Sequence, residues 1–301
     1  MSQPLASHRI GFIGLGLMGR PMVEHLHRAG AEVVIHNRSQ TVVGDLAAKG
    51  LSPAQSSAEV ARAVAGGLLF LCLPRTETVL SVLEGGNGQE GLWDALAPGT
   101  VVVDFGTTSA VTTRQLAARA AEKGVGWVDA PVSGGEVGAK AASLTIMVGA
   151  NSADYERARI LFPILGAKHT HLGPAGSGQV TKLANQMIVA QTIDAVAQAL
   201  AMAKAAGVDP ALAREALRGG FADSRILELH GDRMVRRDFT PGGRAELQLK
   251  DVRLIQELID NLHLDFPTQQ NSLHRWETMV EERGLGGLDH SGLFRLYVPE
   301  G

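Results

Sequence analysis

The sequence has a single cysteine, Cys72, so no disulfide can form within the chain. That cysteine lies inside LLFLCLP, where a buried strand thiol is expected, because reactive thiols need an electropositive, partly open setting. A strong excess of either charge is lacking too. Lys and Arg number 28 against 31 Asp and Glu, a formal net charge of −3, which argues against a nucleic-acid binder. No apolar run approaches the ~18 residues of a membrane helix, so no membrane partner is expected. The start, MSQPLASHRIGF, has no signal-peptide core and enters a strand almost at once, so the expected location is the cytoplasm. The ten histidines are scattered. No H-x-x-x-H and no cysteine cluster stands on a helix, so no metal is expected; His169 and His171, on one strand-like segment, read as structural or exposed. No long low-complexity segment and no internal repeat is found.

What is there suits a packed protein: hydrophobic residues make up 45% and charged residues 20% of 301, a length that fits two domains. The first ~170 residues alternate short apolar runs with helix-like segments. RIGFI (9–13), EVVIHN (32–37), GLLFLCL (67–73), TVVVDF (100–105), VGWVDAP (125–131) and LTIMVG (144–149) read as strands. GLLFLCL is nearly all apolar, as in a strand buried on both faces. SSAEVARAV opens with Ser56 and has Glu59 three residues on, a capping-box spacing. The alternation predicts an α/β fold with a doubly wound parallel sheet.

Near residue 175 the character changes. After the glycine-rich GPAGSGQ (173–179) comes a stretch without Pro or internal Gly, predicted to be one helix over about 178–207. At 1.5 Å per residue it would be roughly 40 Å long. Apolar and small residues cover most of its circumference, so it should be buried on more than one side. Helices are also expected around 209–219, 224–237, 246–262 and 268–283. The reading is a dinucleotide-binding domain over 1–174 and an all-helical domain over 175–301, for substrate binding and oligomerisation.

The N-terminal GFIGLGLMGRPM holds Gly14, Gly16 and Gly19 in a G-x-G-x-x-G frame, after a strand and before a helix. That is the context of a Rossmann dinucleotide loop. Gly14 permits the tight turn, Gly16 lets backbone approach the pyrophosphate, and Gly19 lets helix and strand pack closely. Leu17 and Met18, between the last two glycines, belong to the same loop, whose helix end favours phosphate. An NAD site usually has Asp or Glu about 20 residues on, at the end of the second strand. Here Asn37, Arg38 and Ser39 stand there, and Glu32 is at the strand's other end. Arginine can stack on adenine and pair with a 2′-phosphate, so NADP is favoured over NAD. On the long helix, Lys182, Asn185 and Gln186 share a face. A partly desolvated Lys182 would suit acid–base catalysis; a lysine snorkelling from a helix end stands as the equal alternative.

Taken in order, GFIGLGLMGRPM, HNRS, DAPVSGGEVGA, SLTIMVGA, GPAGSGQVTKLANQ and LQLKD resemble the β-hydroxyacid dehydrogenases, from residue 9 to about 291. The family includes 3-hydroxyisobutyrate dehydrogenase, tartronate semialdehyde reductase and glyoxylate/succinic semialdehyde reductases; 6-phosphogluconate dehydrogenase, with its all-helical C-terminal half, is a more distant likeness. The resemblance implies a reversible hydride transfer between NADP and a small carboxylate substrate, a β-hydroxyacid or its semialdehyde. It makes Lys182 the catalytic lysine and Ser133, Gly134 and Gly135 the loop that holds the substrate carboxylate. Thr107 would meet the nicotinamide side, Leu73 and Pro74 would pass the cofactor, and Lys250 in LKD would reach toward it. Asp289 to Ser291 match a C-terminal D-x-S element. It also implies a homodimer or homotetramer. Imine reductases and non-catalytic NADP-binding scaffolds share the architecture, but relatives of both kinds lack the lysine. Three positions depart from the pattern: Gln186 replaces a substrate-contacting Asn, Gly106 replaces a hydroxyl residue after Asp104, and PGGR (241–244) stands where related reductases tend to have an aromatic.

Overall fold

Successive residues of a strand point to opposite faces, and here both faces are apolar. In the computed structural model, which describes residues 4–86 and 88–299, this sorts the strand residues into two cores. Ile10, Phe12, Val33, Ile35, Leu68, Phe70, Val101 and Val103 enter one cluster. Ile13, Val34, Leu69, Leu71, Val102 and Trp127 enter the other. A sheet sandwiched in this way needs helices on each side, as parallel sheets do.

The strands are β1 (Arg9–Ile13), β2 (Glu32–His36), β3 (Ser52–Pro53), β4 (Leu68–Leu71), β5 (Gly85–Gly86), β6 (Gln89–Glu90), β7 (Val101–Asp104), β8 (Gly126–Asp129), β9 (Val132–Ser133), β10 (Leu144–Val148) and β11 (Gly166–His171). The main sheet has six strands in the order β3-β2-β1-β4-β7-β8, all parallel. The order reverses between β1 and β4. Dinucleotides bind Rossmann sheets at such a switch point, outside the carboxyl ends of the strands.

One expected strand goes elsewhere. LTIMVG does not extend the main sheet but forms the centre of a three-stranded sheet, antiparallel to β9 and parallel to β11. The chain leaves β8 at Asp129, passes Ala130 and Pro131, and starts β9 almost at once, and β10 pairs back onto that short segment. Cys72 also falls just past the end of β4, where its N–H donates to the Ile13 carbonyl. Burial, with the Asp104 carboxylate second, pushes its thiol up to about 12, so it stays protonated.

Two compact units divide the chain, Met1–Lys182 and Leu183–Gly301. The second is helical: Pro210–Leu217, Arg225–Arg236, Ala245–Asn261 and Pro267–Glu277 follow the long helix Ser177–Ala205. The last of them ends sooner than its sequence pattern suggests and widens into a π-helical turn, Thr278–Glu282, in which Met279 is buried. The core of this unit gathers Ile193, Ala197 and Leu200 of the long helix with Leu227, Val252, Trp276 and Phe294. Among the described residues, no helix is long and apolar enough to cross a membrane.

Candidate active site

Three loops meet at the carboxyl ends of β1, β4 and β7, and glycines let them. Gly14 has φ +102°, and a Cβ there would lie 2.3 Å from the Cys72 carbonyl oxygen, so only glycine fits. A Cβ on Gly19 would lie 2.0 Å from the Gly14 oxygen, whereas one on Gly16 would meet nothing within 4 Å. Gly14 and Gly19 thus close the turn, and Gly16 keeps backbone open to a ligand at the start of helix Gly19–Arg28. Such a cradle fits a dinucleotide pyrophosphate. Leu17 is exposed and Met18 packs on the core.

Gly106 does the same on the neighbouring loop. Its Cβ would lie 2.5 Å from the Leu73 oxygen and 3.0 Å from Asp104 Oδ1. A hydroxyl residue here would push the β4 and β7 loops apart, which gives this departure from the family pattern a steric cause. Leu73 is half-buried, Pro74 exposed and Thr107 half-buried.

At the end of β2, Asn37 turns inward. Its Oδ1 accepts from Leu15 N–H at 3.0 Å and its Nδ2 donates to the Ser39 carbonyl at 3.2 Å. The amide therefore ties the glycine loop to β2. Arg38 and Ser39 are exposed beside it.

Ser133 is half-buried on β9, paired with Thr145 of β10. Gly134 and Gly135 follow with positive φ and are exposed, turning the chain into helix Gly135–Lys140. Lys182 is only 7% exposed, in the second turn of the long helix.

Asn185 and Gln186 lie in the second unit. Asn185 Nδ2 donates to Gln186 Oε1 at 2.8 Å, and Gln186 Nε2 donates to Asp251 Oδ2 at 2.5 Å and reaches Gln248 Oε1 at 3.5 Å. Lys250 Nζ pairs with Asp251 Oδ1 at 2.9 Å, both side chains largely buried. The longer amide at 186 is thus built into a polar cluster on helix Ala245–Asn261. Asp289 accepts from the Ser291 N–H and hydroxyl and from the Gly242 and Gly243 N–H groups, and pairs with Arg233. The D-x-S element therefore pins down the PGGR loop. Desolvation opposes these bonds, which together hold the Asp289 carboxyl below its usual range.

Two residues that the motifs did not single out are prominent. Asp129 and Gln179 are both fully buried. Asp129 Oδ1 accepts from Gly176 N–H at 2.6 Å and Oδ2 from Gln179 N–H at 2.8 Å. Gln179 Nε2 donates to the Gly106 carbonyl at 2.8 Å, and its Oε1 accepts from Thr108 N–H at 3.1 Å. Burial raises the Asp129 carboxyl to about 6 against these bonds, which favour the ionised form. Both residues sit inside quoted motifs, DAPVSGG and GPAGSGQ. Their pairing crosses 50 residues, and no local spacing reports it.

The glycine cradle and the switch point define the class: a dinucleotide-binding protein built on a Rossmann sheet. Comparisons with known proteins agree. Residues 9–173 match the NAD binding domain of 6-phosphogluconate dehydrogenase, and residues 176–297 match the NAD-binding domain of NADP-dependent 3-hydroxyisobutyrate dehydrogenase. The chain is 42% identical over 287 residues to 2-hydroxy-3-oxopropionate reductase of Escherichia coli, covering 95% of each chain. It is 33% identical to the NAD-dependent L-serine dehydrogenase of Pseudomonas aeruginosa, covering 97% and 98%. The structure of Mycobacterium tuberculosis 3-hydroxyisobutyrate dehydrogenase with L-serine superposes with a TM-score of 0.86 at 28% identity, covering 96% and 98%. The chain belongs to the β-hydroxyacid dehydrogenase family. It is an NAD(P)-dependent dehydrogenase acting on CH–OH groups.

Proposed function

We propose that the protein reduces a small carboxylate-bearing semialdehyde to its β-hydroxyacid, with NADPH as the preferred donor and Lys182 as the acid–base group. The observation that carries this reading is Lys182 itself, a lysine 7% exposed one turn beyond a buried, hydrogen-bonded glutamine. A lysine held nearly buried in the second turn of the long helix suits a group that gives and takes a proton at a site screened from water. In reduction, Lys182 gives a proton to the carbonyl oxygen; in oxidation, it takes the proton back from the hydroxyl. A nicotinamide cofactor held by the glycine loop would supply the hydride in reduction and receive it in oxidation. The Ser133 hydroxyl and the N–H groups of Gly134 and Gly135 hold the substrate carboxylate, and Thr107, Leu73 and Pro74 line the cofactor. Residues 1–174 serve as the cofactor domain and 175–301 as the substrate and oligomerisation domain of a homodimer or homotetramer.

NADP is favoured by Arg38 and Ser39, exposed at the end of β2, where no carboxylate stands to repel a 2′-phosphate. The 42% identical relative makes 2-hydroxy-3-oxopropionate the first semialdehyde to assay, followed by glyoxylate, succinic and methylmalonate semialdehydes, with L-serine in the reverse direction. Lys182→Ala should lower kcat by about 10²–10⁴-fold and leave NADPH binding intact, measured by nucleotide fluorescence. Turnover within about tenfold of wild type would rule out the acid–base role. Arg38→Ala should raise the KM for NADPH and leave that for NADH nearly unchanged. Equal effects on the two would remove the 2′-phosphate contact.

A further inference from the structure

Asp129 and Gln179 are expensive residues for a core. A buried carboxylate and a buried amide are tolerated only when hydrogen-bonded, and apolar side chains of similar size are often as stable. A helix start can be capped far more cheaply by its own Ser, Thr or Asn. Here the cap comes from β8 instead, through the Gly176 and Gln179 N–H groups. Close contact is built in around it. A Cβ on Gly178 would lie 2.8 Å from both the Asp129 carbonyl and Oδ2, and one on Gly149 would lie 2.5 Å from Oδ1. The Gln179 side chain then continues the connection to the β7 loop. Its two bonds grip the Gly106 carbonyl and the Thr108 N–H, the backbone on either side of Thr107. Asp104 finishes the frame, accepting from Gly106 N–H at 2.8 Å and from Thr108 Oγ1 at 3.2 Å. Gln179 and Lys182 are three residues apart, so they are neighbours on the helix surface. All of these residues belong to the first compact unit.

We propose that Asp129 and Gln179 are positioning residues for the reaction: Asp129 fixes the first turn of the long helix, and Gln179 couples that turn to Gly106–Thr108, so that Lys182 and Thr107 keep one geometry during proton transfer. The proposal rests on the reading of Lys182 as the proton donor. Its physical content is pre-organisation. Neither residue touches the reacting atoms, but both set where the ammonium stands.

The test uses the full-length protein, NADPH and 2-hydroxy-3-oxopropionate, or the semialdehyde that the wild type turns over fastest. Gln179→Met keeps the length of the side chain and removes both bonds; Gln179→Glu keeps the acceptor for Thr108 and loses the donor to Gly106. For Gln179→Met, kcat should fall by up to about 10²-fold, the loss expected of an ångström-scale misplacement. NADPH affinity should fall by less than kcat does, and the pH profile of kcat should shift. The double variant with Lys182→Ala should be no slower than Lys182→Ala alone, because residues acting through one another are not additive. Gln179→Glu should fall between wild type and Gln179→Met, and it carries the same measurements if Gln179→Met does not fold. Losses that add to that of Lys182→Ala, or that follow the melting temperature with an unmoved pH profile, would overturn the proposal. So would wild-type kcat in the Gln179 variants while Lys182→Ala is dead. An active Lys182→Ala would instead sink the reading of the lysine and leave the frame as a structural one.

Discussion

Gly106 shows how a single missing Cβ can carry a site. In the sequence it reads as a lost hydroxyl. In the fold, a Cβ there would lie 2.5 Å from the Leu73 carbonyl, a distance real Cβ atoms essentially never show. Gly106→Ser should therefore destabilise the protein by about 1–3 kcal/mol, the usual cost of overpacking. It should also weaken NADPH binding, because the β4 and β7 loops that would line the cofactor are the parts forced apart. Thermal melting with and without NADPH measures both effects, and a serine variant that keeps wild-type melting and affinity would show the loops free to separate. Asn37 makes a similar point. Its position at the end of β2 was legible, but its inward turn to Leu15 N–H was not, since a side-chain bond across 22 residues leaves no local trace.

At the scale of elements, caps divide into those the sequence displays and those it hides. Ser56, Ser109, Asn151, Asp209 and Ser224 each cap their own helix through a side-chain oxygen. Such caps are written within four residues, and the Ser56–Glu59 spacing was read directly. The reciprocal Glu59 bond goes to Gln55 N–H, one residue before the cap. The long helix was equally legible as a helix, from its lack of Pro and internal Gly, but its cap was not. That cap has a pH signature. The Asp129 carboxyl, with an ordinary value of 3.8, is raised to about 6 in the fold, chiefly by burial. The folded state thus holds the proton more tightly than the unfolded chain, and the contribution of this group to stability is full below about pH 4 and lost as pH rises through about 6. Urea unfolding of wild type minus that of Asp129→Asn should decline across this window by about 3 kcal/mol and be flat above about pH 7. A difference that is constant, or that rises with pH, would contradict the buried ionisation.

At the scale of the molecule, each unit closes a core of its own, and the helix Ser177–Ala205 begins in one and continues in the other. Several large apolar side chains of the second unit are exposed in the single chain: Ile188 and Met202 on the long helix, Leu212, and Phe221. We expect these to be covered in a homodimer or homotetramer. Light scattering coupled to size-exclusion chromatography should give two or four times the mass of the chain, and a monomer at micromolar concentration would remove the oligomer from the reading.

By itself the sequence determined the alternation that makes a doubly wound sheet, the glycine loop, the helical second half and the family. All of these are local periodicities or short ordered motifs, and nearest-neighbour geometry suffices to write them. Only the tertiary structure decided where β10 pairs, why residue 106 is glycine, how Gln186 is absorbed by Asp251, and that Asp129 and Gln179 join the helix start to the β7 loop. Each of these is a contact between segments far apart in the chain, made by a close approach or a buried hydrogen bond. Such contacts leave no periodic mark, because their partners come together only when the sheet and the helix are already packed.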